Sequence, residues 1–171
     1  FGDGAVAVSV SASDEETGIL STHLHADGRY AEQLWVPEPS AKRNPKVSDL
    51  KNLHCYMNGR EVFRNAVTRF PEVIQEALDH NGWDKDEVDL YIPHQANLRI
   101  SQAVARKLGI PAEKFYHNIQ KYGNTTAASI PIALAEGGTF HAFPVYQSTT
   151  FFTDASGHSG MSQGPLPTGV L

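Results

Sequence analysis

Two polar residues at the ends of apolar runs are the side chains best suited to carry chemistry. His94 follows the apolar residues 88–92, and Asn124 follows Gly123 thirty positions further along the chain. An imidazole and a carboxamide can both donate hydrogen bonds to one oxygen atom and stabilise negative charge that develops there. The pair therefore points to carbonyl chemistry. Each residue also has a structural interpretation, His94 as a loop histidine satisfied by backbone groups and Asn124 as a helix cap.

The elements around these residues are predicted to place both of them at helix ends. Residues 88–92 are typical of a short buried strand, which Pro93 ends, and apolar spacing predicts a helix over 98–108. His94 then lies at a strand-to-helix junction, where side chains face a crevice. The helix predicted after Asn124 has hardly any polar face, which indicates burial on all sides with Asn124 at its buried end.

The remaining elements alternate between strands and helices. Residues 5–10, 19–25 and 114–119 are predicted as strands, and residues 35–53 as a polar excursion. A long apolar stripe from residue 62 to residue 78 predicts a helix that ends in a cap at Asn81-Gly82. Alternation of this kind favours an α/β fold with helices on the faces of a layered sheet.

Five segments in a fixed order carry a resemblance to a known family. They are residues 1–5, 21–28, 57–63, 93–100 and 122–131. Together they resemble the C-terminal half of β-ketoacyl-acyl-carrier-protein synthase III, a thiolase-fold condensing enzyme that begins type II fatty-acid synthesis. The resemblance covers residues 1–136 and implies the C-terminal half of a thiolase-like fold, with a mixed sheet and one buried helix.

The resemblance implies a decarboxylative Claisen condensation of an acyl-CoA primer with malonyl-acyl-carrier protein. The family's active site is a Cys-His-Asn set, and His94 and Asn124 match its histidine and asparagine. Both would donate hydrogen bonds to the malonyl thioester oxygen, and no cofactor is implied. Two alternatives stay open: a non-decarboxylating acyltransferase of the same superfamily with His94 as a base, and an inactive interaction or dimerisation fragment.

Two further groups of residues match binding segments of the family. The segment that matches the carrier-protein site is Gln95, Ala96, Asn97, Leu98 and Arg99. A carrier protein is acidic, so Arg99 is the residue we favour for a charge contact. The residues that match the substrate channel are Met57, Gly59 and Phe63, although Phe63 could equally be a core residue.

Cys55 is the only cysteine, and with His94 and Asn124 it superficially completes the active-site set. Its position does not match the family's nucleophile, which lies in the N-terminal half. Because the chain also begins with Phe1 inside a family motif, we expect an incomplete protein that is inactive alone. Residues 137–171 depart from the family and are predicted to be an atypical, partly disordered tail.

Composition narrows the possible partners and compartments. The 171 residues are 40% hydrophobic and 19% charged, as in an ordinary globular domain, and the net charge of −5 argues against nucleic acid. No apolar run predicts a membrane span. A single cysteine suits a reducing compartment, and the resemblance implies a cytoplasmic homodimer, or a plastid stromal one in a eukaryote. His23 and His25 share a strand face, but without a third ligand no metal site is expected.

Overall fold

The computed structural model describes residues 1–12, 14, 18–38 and 49–137, and the backbone of residues 151–153 and 159–161. The helices are α1 (Gly59–Asn81), α2 (Leu98–Leu108), α3 (Ile119–Tyr122) and α4 (Ser129–Gly137). The strands are β1 (Leu34–Trp35), β2 (Tyr56–Met57), β3 (Phe151–Thr153) and β4 (Ser159–Met161). Short 3₁₀ turns cover Gly28–Gln33, Leu50–Leu53, Ala112–Lys114 and Thr126–Ala128. Over this described part of the chain, no helix combines the length and apolar character that crossing a bilayer requires.

Helix α1 confirms the long helix predicted from the apolar stripe. Asn58 caps its first turn, with Oδ1 accepting a hydrogen bond from the backbone N–H of Glu61 at 3.4 Å. Gly82 ends the helix in the left-handed conformation, at φ 68°, which glycine adopts without a steric penalty. The buried face carries Pro71, Val73, Ile74, Ala77 and Leu78.

Helix α2 has the bounds that the sequence predicts, and it packs against α1. Asn97 caps its start, because Oδ1 accepts from the N–H of Arg99 at 3.0 Å, and Gly109 ends it at φ 64°. The larger of two core clusters forms between these helices and the segments behind them. Its buried members are Ile74, Leu78, Val88, Tyr91, Ile100, Val104, Ala105, Ile110 and Phe115. This core fixes the turn at 93–97, which leads into α2.

The predicted strands 88–92 and 114–119 meet in parallel, but through one bridge only. Tyr91 pairs with Phe115. The N–H of Tyr91 donates to the carbonyl of Lys114 at 2.6 Å, and the N–H of Tyr116 donates to the carbonyl of Tyr91 at 2.9 Å. The parallel direction agrees with an α/β arrangement, since adjacent parallel strands need a crossover between them. Here α2 lies in that crossover.

The strands predicted at residues 5–10 and 19–25 form no ladder within the described residues, so those two assignments are wrong for this structure. A strand needs a neighbour to pair its backbone groups and to cover its apolar face. The alternating side chains Val6, Val8 and Val10 are all exposed, as are Ile19 and Leu20. These residues have the pattern of a strand, but no described segment of the chain pairs with them or packs over their apolar side chains.

Two short antiparallel pairs complete the described strands, and β3 falls within residues 145–153, for which the sequence also suggests a strand. β1 pairs with β2 in the register Leu34↔Met57 and Trp35↔Tyr56, so it brackets the predicted polar excursion. β3 pairs with β4, and β4 falls in a stretch whose composition predicts disorder. The other residues from 138 onwards, and residues 39–48 of the excursion, lie outside the described residues.

Helix α4 is only partly buried, which corrects the prediction that it is buried all round. Ile130 and Ala133 join Leu90 and Ile92 in the second core cluster. Ala135 on α4 is exposed, although the segment 90–92, Tyr116 and the backbone at Gly4 lie against other parts of the helix. The helix also begins later than predicted, at Ser129, since Thr126–Ala128 form a 3₁₀ turn.

Candidate active site

His94 lies half-buried in the turn between residue 92 and helix α2. The carbonyl of His94 accepts from the N–H of Ala96 at 2.9 Å, which closes the turn. Its Nδ1 lies 2.5 Å from the hydroxyl oxygen of Ser129, the first residue of α4. The same hydroxyl oxygen accepts from the N–H of Gln95 at 3.3 Å. One buried hydroxyl therefore joins the turn at 93–95 to the start of α4.

Burial lowers the pKa of His94 to about 4, because removal from water disfavours the charged imidazolium. At neutral pH the ring is therefore uncharged, with one nitrogen as a donor and the other as an acceptor. A neutral imidazole can donate a hydrogen bond to a developing oxyanion without first losing or gaining a proton.

The side chain of Asn124 is oriented by a hydrogen bond to the backbone of the turn that follows it. Its Oδ1 accepts from the N–H of Thr126 at 2.9 Å, so the carboxamide oxygen is occupied within the turn. Its Nδ2 has no hydrogen-bond partner among the described residues and is left as a donor. The N-cap position of the 3₁₀ turn that precedes α4 is occupied by Thr125, so Asn124 lies one residue before it and does not cap α4 itself.

The backbone around Asn124 adopts conformations that few residues tolerate. Gly123 has φ 67° and ψ −156°, a region that is essentially restricted to glycine. Thr126 has φ 51°, which is uncommon for a β-branched residue and costs on the order of 1–3 kcal/mol. Such a conformation persists only when its surroundings hold it.

The N-terminal segment holds this turn from one side. The N–H of Gly2 donates to the carbonyl of Asn124 at 2.8 Å. A Cβ at residue 2 would collide with the carbonyl oxygen of Tyr122, and a Cβ at Gly4 would lie 3.2 Å from Cβ of Thr125. Glycine at residue 2 is therefore required by the close approach of two backbones, a signal that the Gly-Asp-Gly motif carries in the sequence.

Glu136, at the end of α4, holds the turn from the other side. Its Oε1 accepts from the hydroxyl of Tyr122 at 2.6 Å and from Nζ of Lys121 at 3.2 Å, and its Oε2 accepts from Nδ2 of Asn118 at 3.0 Å. These hydrogen bonds, chiefly those from Tyr122 and Asn118, lower the pKa of Glu136 to about 2. The carboxylate thus ties α3 to α4 on either side of Asn124, a role that its isolated position in the sequence did not reveal.

Gln95 corrects one of the predicted carrier-protein contacts. Gln95 is only 2% exposed. Its Nε2 donates to the carbonyls of Pro93 at 2.8 Å and Tyr116 at 3.3 Å, and its Oε1 accepts from the N–H of Asn118 at 3.0 Å. The side chain connects three segments of the interior, so the prediction that it contacts a carrier protein is wrong.

The other four residues of that segment are exposed. Ala96, Asn97, Leu98 and Arg99 form a continuous surface at the start of α2, next to the turn that carries His94. Asn97 already uses its Oδ1 to cap α2, which leaves the guanidinium of Arg99 as the charged group of this patch.

The residues predicted to line a channel lie around the start of α1. Met57, on β2, is 55% exposed, and Gly59 is the exposed first residue of α1. Phe63 is partly buried against the larger core cluster, which favours its core interpretation. Cys55 is exposed, and its Sγ lies 3.8 Å from the carbonyl of Tyr56, a contact that does not stabilise a thiolate.

His23 and His25 bind a carboxylate of α1. Nδ1 of His23 lies 3.2 Å from Oε1 of Glu76, and Nε2 of His25 lies 2.6 Å from Oε2 of Glu76. The hydrogen bonds from His25 and His23 lower the pKa of Glu76. The described residues hold no group of three His, Cys, Asp or Glu side chains that could bind a metal ion. The cluster fastens residues 21–25 onto α1.

Comparison with known proteins finds relatives of this chain. The family described as 3-oxoacyl-acyl-carrier-protein synthase III C terminal matches residues 78–144. Beta-ketoacyl-acyl-carrier-protein synthase III of Salmonella arizonae is 48% identical over 136 residues, which are 80% of this chain and 41% of that protein. Its counterpart in Thioalkalivibrio sulfidiphilus is 48% identical over 134 residues, 78% of this chain and 41% of that protein.

Solved structures give the same answer for the fold. The synthase III of Aquifex aeolicus superposes with a TM-score of 0.70 at 36% identity, over 92% of this chain and 46% of that one. The Thermus thermophilus structure superposes with a TM-score of 0.72 at 34% identity, over 92% of this chain and 48% of that one. The chain thus spans less than half the length of the relatives it matches.

The fold is therefore part of a thiolase-like α/β fold, and the site lies in a region shared with condensing enzymes of that fold. The chain belongs to the β-ketoacyl-acyl-carrier-protein synthase III family and corresponds to its C-terminal region.

The close approach at residue 2 predicts a stability difference between two glycine substitutions. Gly2→Ala should lower the free energy of unfolding by about 1–3 kcal/mol, because the new methyl group must displace the backbone at Tyr122. Gly59→Ala is the matched control, since its Cβ would meet no atom within 4 Å, and it should be neutral or stabilising. Urea unfolding measures both. Equal effects would show that the contact does not constrain the turn.

The lowered pKa of His94 predicts a loss of stability in acid. An unfolded chain takes up a proton on this imidazole near pH 6.5 and the folded chain only near pH 4, so the free energy of unfolding falls as pH falls between these values. The contribution is about 2–3 kcal/mol for this half-buried ring. His94→Gln lacks this titrating group. The difference in free energy of unfolding between the unsubstituted protein and His94→Gln should therefore fall by about 2–3 kcal/mol from pH 7 to pH 4.

Urea unfolding at several pH values tests this expectation. His117, whose pKa burial also lowers, is present in both proteins and cancels in the comparison. An advantage that stays constant over the whole pH range would contradict the assignment of a neutral, desolvated His94.

Proposed function

We propose that this region supplies the two oxyanion-stabilising donors of a decarboxylative condensation between an acyl-CoA primer and malonyl-acyl-carrier protein, the step that begins fatty-acid synthesis. One observation carries the proposal. Oδ1 of Asn124 accepts from the N–H of Thr126, and Nδ1 of His94 lies 2.5 Å from the hydroxyl oxygen of Ser129. The side-chain nitrogens that remain for a ligand are therefore Nδ2 of Asn124 and Nε2 of His94, and we propose that both present an N–H group.

In the proposed mechanism, a cysteine outside these 171 residues first carries the primer acyl group as a thioester. The malonyl thioester then loses carbon dioxide, and the electrons of the broken carbon–carbon bond move into an enolate. Nε2–H of His94 and Nδ2–H of Asn124 stabilise the enolate oxygen, each by roughly 3–4 kcal/mol. The enolate carbon attacks the acyl thioester and expels the cysteine thiolate. No step requires His94 to take up a proton.

The nucleophile is proposed to come from another part of the complete synthase. Cys55 is the only cysteine of the 171 residues, and no described contact activates it. The chain alone is therefore proposed to be inactive in condensation. A homodimeric, cytoplasmic synthase is the corresponding proposal for the whole protein, and it rests on the family resemblance alone.

Carrier docking is assigned to the exposed patch of Ala96, Asn97, Leu98 and Arg99. The chain has a net charge of −5, so an acidic carrier protein needs a local positive group to approach it. Arg99 provides that group beside the His94 turn, where a pantetheine arm would enter. Met57 and Gly59 remain proposed channel residues on the basis of the family match.

Alanine substitutions test the two donor roles in a complete synthase that contains this chain. His94→Ala and Asn124→Ala should each slow malonyl decarboxylation by about 100-fold or more, while transfer of the primer to the cysteine stays largely intact. Carbon dioxide release and acyl-enzyme formation are measured separately. Gln102→Ala, an exposed position on α2, is the control and should change neither.

The same measurements separate the alternatives. A non-decarboxylating acyltransferase with His94 as a base would release no carbon dioxide, and His94→Ala would abolish acyl transfer to the second substrate. An interaction fragment would leave every rate unchanged in both variants. Either pattern would overturn the proposed condensation.

Charge reversal tests the docking patch. Arg99→Glu in the complete synthase should raise KM for malonyl-acyl-carrier protein about tenfold, since reversing a contact charge costs on the order of 1–3 kcal/mol. KM for acyl-CoA should stay nearly constant, and the effect should shrink as salt rises. Arg106→Glu, also exposed on α2, is the matched control and should have a smaller effect. Equal damage to both substrates would assign Arg99 to the fold or to the nucleotide.

A further inference from the structure

We propose that Ser129 is a positioning residue whose hydroxyl donates to Nδ1 of His94 and thereby fixes the imidazole as the tautomer with its proton on Nε2. The contact itself is independent of the reaction. Its consequence for catalysis rests on the proposed function, because only a donor at Nε2 can stabilise the enolate oxygen.

The other hydrogen-bonding neighbour of the Ser129 hydroxyl determines the direction of its hydrogen bond with His94. Ser129 is only 2% exposed, and its Oγ has two neighbours: the N–H of Gln95 at 3.3 Å and Nδ1 of His94 at 2.5 Å. The backbone N–H of Gln95 can only donate, so the hydroxyl oxygen of Ser129 accepts this hydrogen bond through one of its lone pairs. Among the described residues, Nδ1 of His94 is then the acceptor for the hydroxyl proton.

The opposite direction leaves an unsatisfied group. If Nδ1 carried the proton, both neighbours would donate to Oγ, and the buried hydroxyl proton would have no acceptor within the described residues. A buried polar group without a partner is disfavoured, so the second tautomer should make up less than about a fifth of the population. The imidazolium form meets the same obstacle, and burial opposes it independently.

The place of Ser129 in the fold makes it suited to this role. It is the first residue of α4 and lies five residues after Asn124 in the same segment. The side chain is locked by the N–H of Gln95, whose own side chain is held by Pro93, Tyr116 and Asn118. The segment that presents Asn124 therefore also sets the protonation pattern of His94.

Nuclear magnetic resonance of the 171-residue chain, with ¹⁵N-labelled histidine side chains, tests the tautomer directly. Between about pH 5 and pH 8, the His94 ring should show an unprotonated Nδ1 and a protonated Nε2. His94→Gln identifies the signals by their loss. A protonated Nδ1 in the unsubstituted chain would overturn the proposal, and this arm needs no variant of Ser129.

A matched pair of substitutions tests the contribution of the hydroxyl. Ser129→Ala should give a mixture of the two tautomers, and it should raise the pKa of His94 by up to about one unit, since the donated bond favours the neutral ring. Ser129→Thr keeps a hydroxyl and should restore the single tautomer. Ser101→Ala removes a buried hydroxyl of α2 that is not bonded to His94 and should change neither.

These outcomes are separable from those of the proposed function. An unaltered His94 spectrum in Ser129→Ala would overturn the positioning role, whatever the complete synthase catalyses. A Ser129→Ala chain that fails to fold leaves the tautomer of the unsubstituted chain as the deciding result. A synthase without decarboxylase activity would overturn the function while leaving the tautomer result in place.

Discussion

The site depends on one buried hydroxyl that joins two segments distant in the sequence. Ser129 lies 35 residues after His94, yet its Oγ contacts both the imidazole and the N–H of the next residue. Buried polar groups must find partners, so the turn at 93–95 and the start of α4 have little freedom to separate. Gly2 and Glu136 hold the segment that contains Asn124 from opposite sides. The geometry of His94 and Asn124 thus rests on a few non-local hydrogen bonds.

Features encoded locally could be predicted from the sequence. Helices α1 and α2 follow from their apolar stripes, and the caps at Asn58 and Asn97 and the left-handed glycines at their ends mark the bounds. His94 and Asn124 could be singled out because each is polar and follows an apolar run or a glycine. In each case the signal and the structure lie within a few residues of one another.

Features that depend on distant partners could not be predicted in the same way. The alternation of Val6, Val8 and Val10 indicates a strand, but only a neighbour can turn it into a ladder, and the described chain offers none. Gln95 is predicted to be part of an exposed motif. Its side chain is instead buried, because it forms hydrogen bonds with Tyr116 and Asn118, which lie 21 and 23 residues further along the chain. Ser129 is a polar residue in an apolar helix. This pattern indicates that its hydroxyl has a buried hydrogen-bond partner, but it does not identify the partner.

The central claim is that Nε2 of His94 and Nδ2 of Asn124 bind one oxygen atom. The most direct test is a crystal structure of a complete synthase containing this chain, bound to a malonyl thioester analogue that does not decarboxylate. The account predicts that the thioester oxygen lies about 2.7–3.1 Å from both nitrogens. An oxygen held by only one of them, or a thioester that faces away from both, would contradict it.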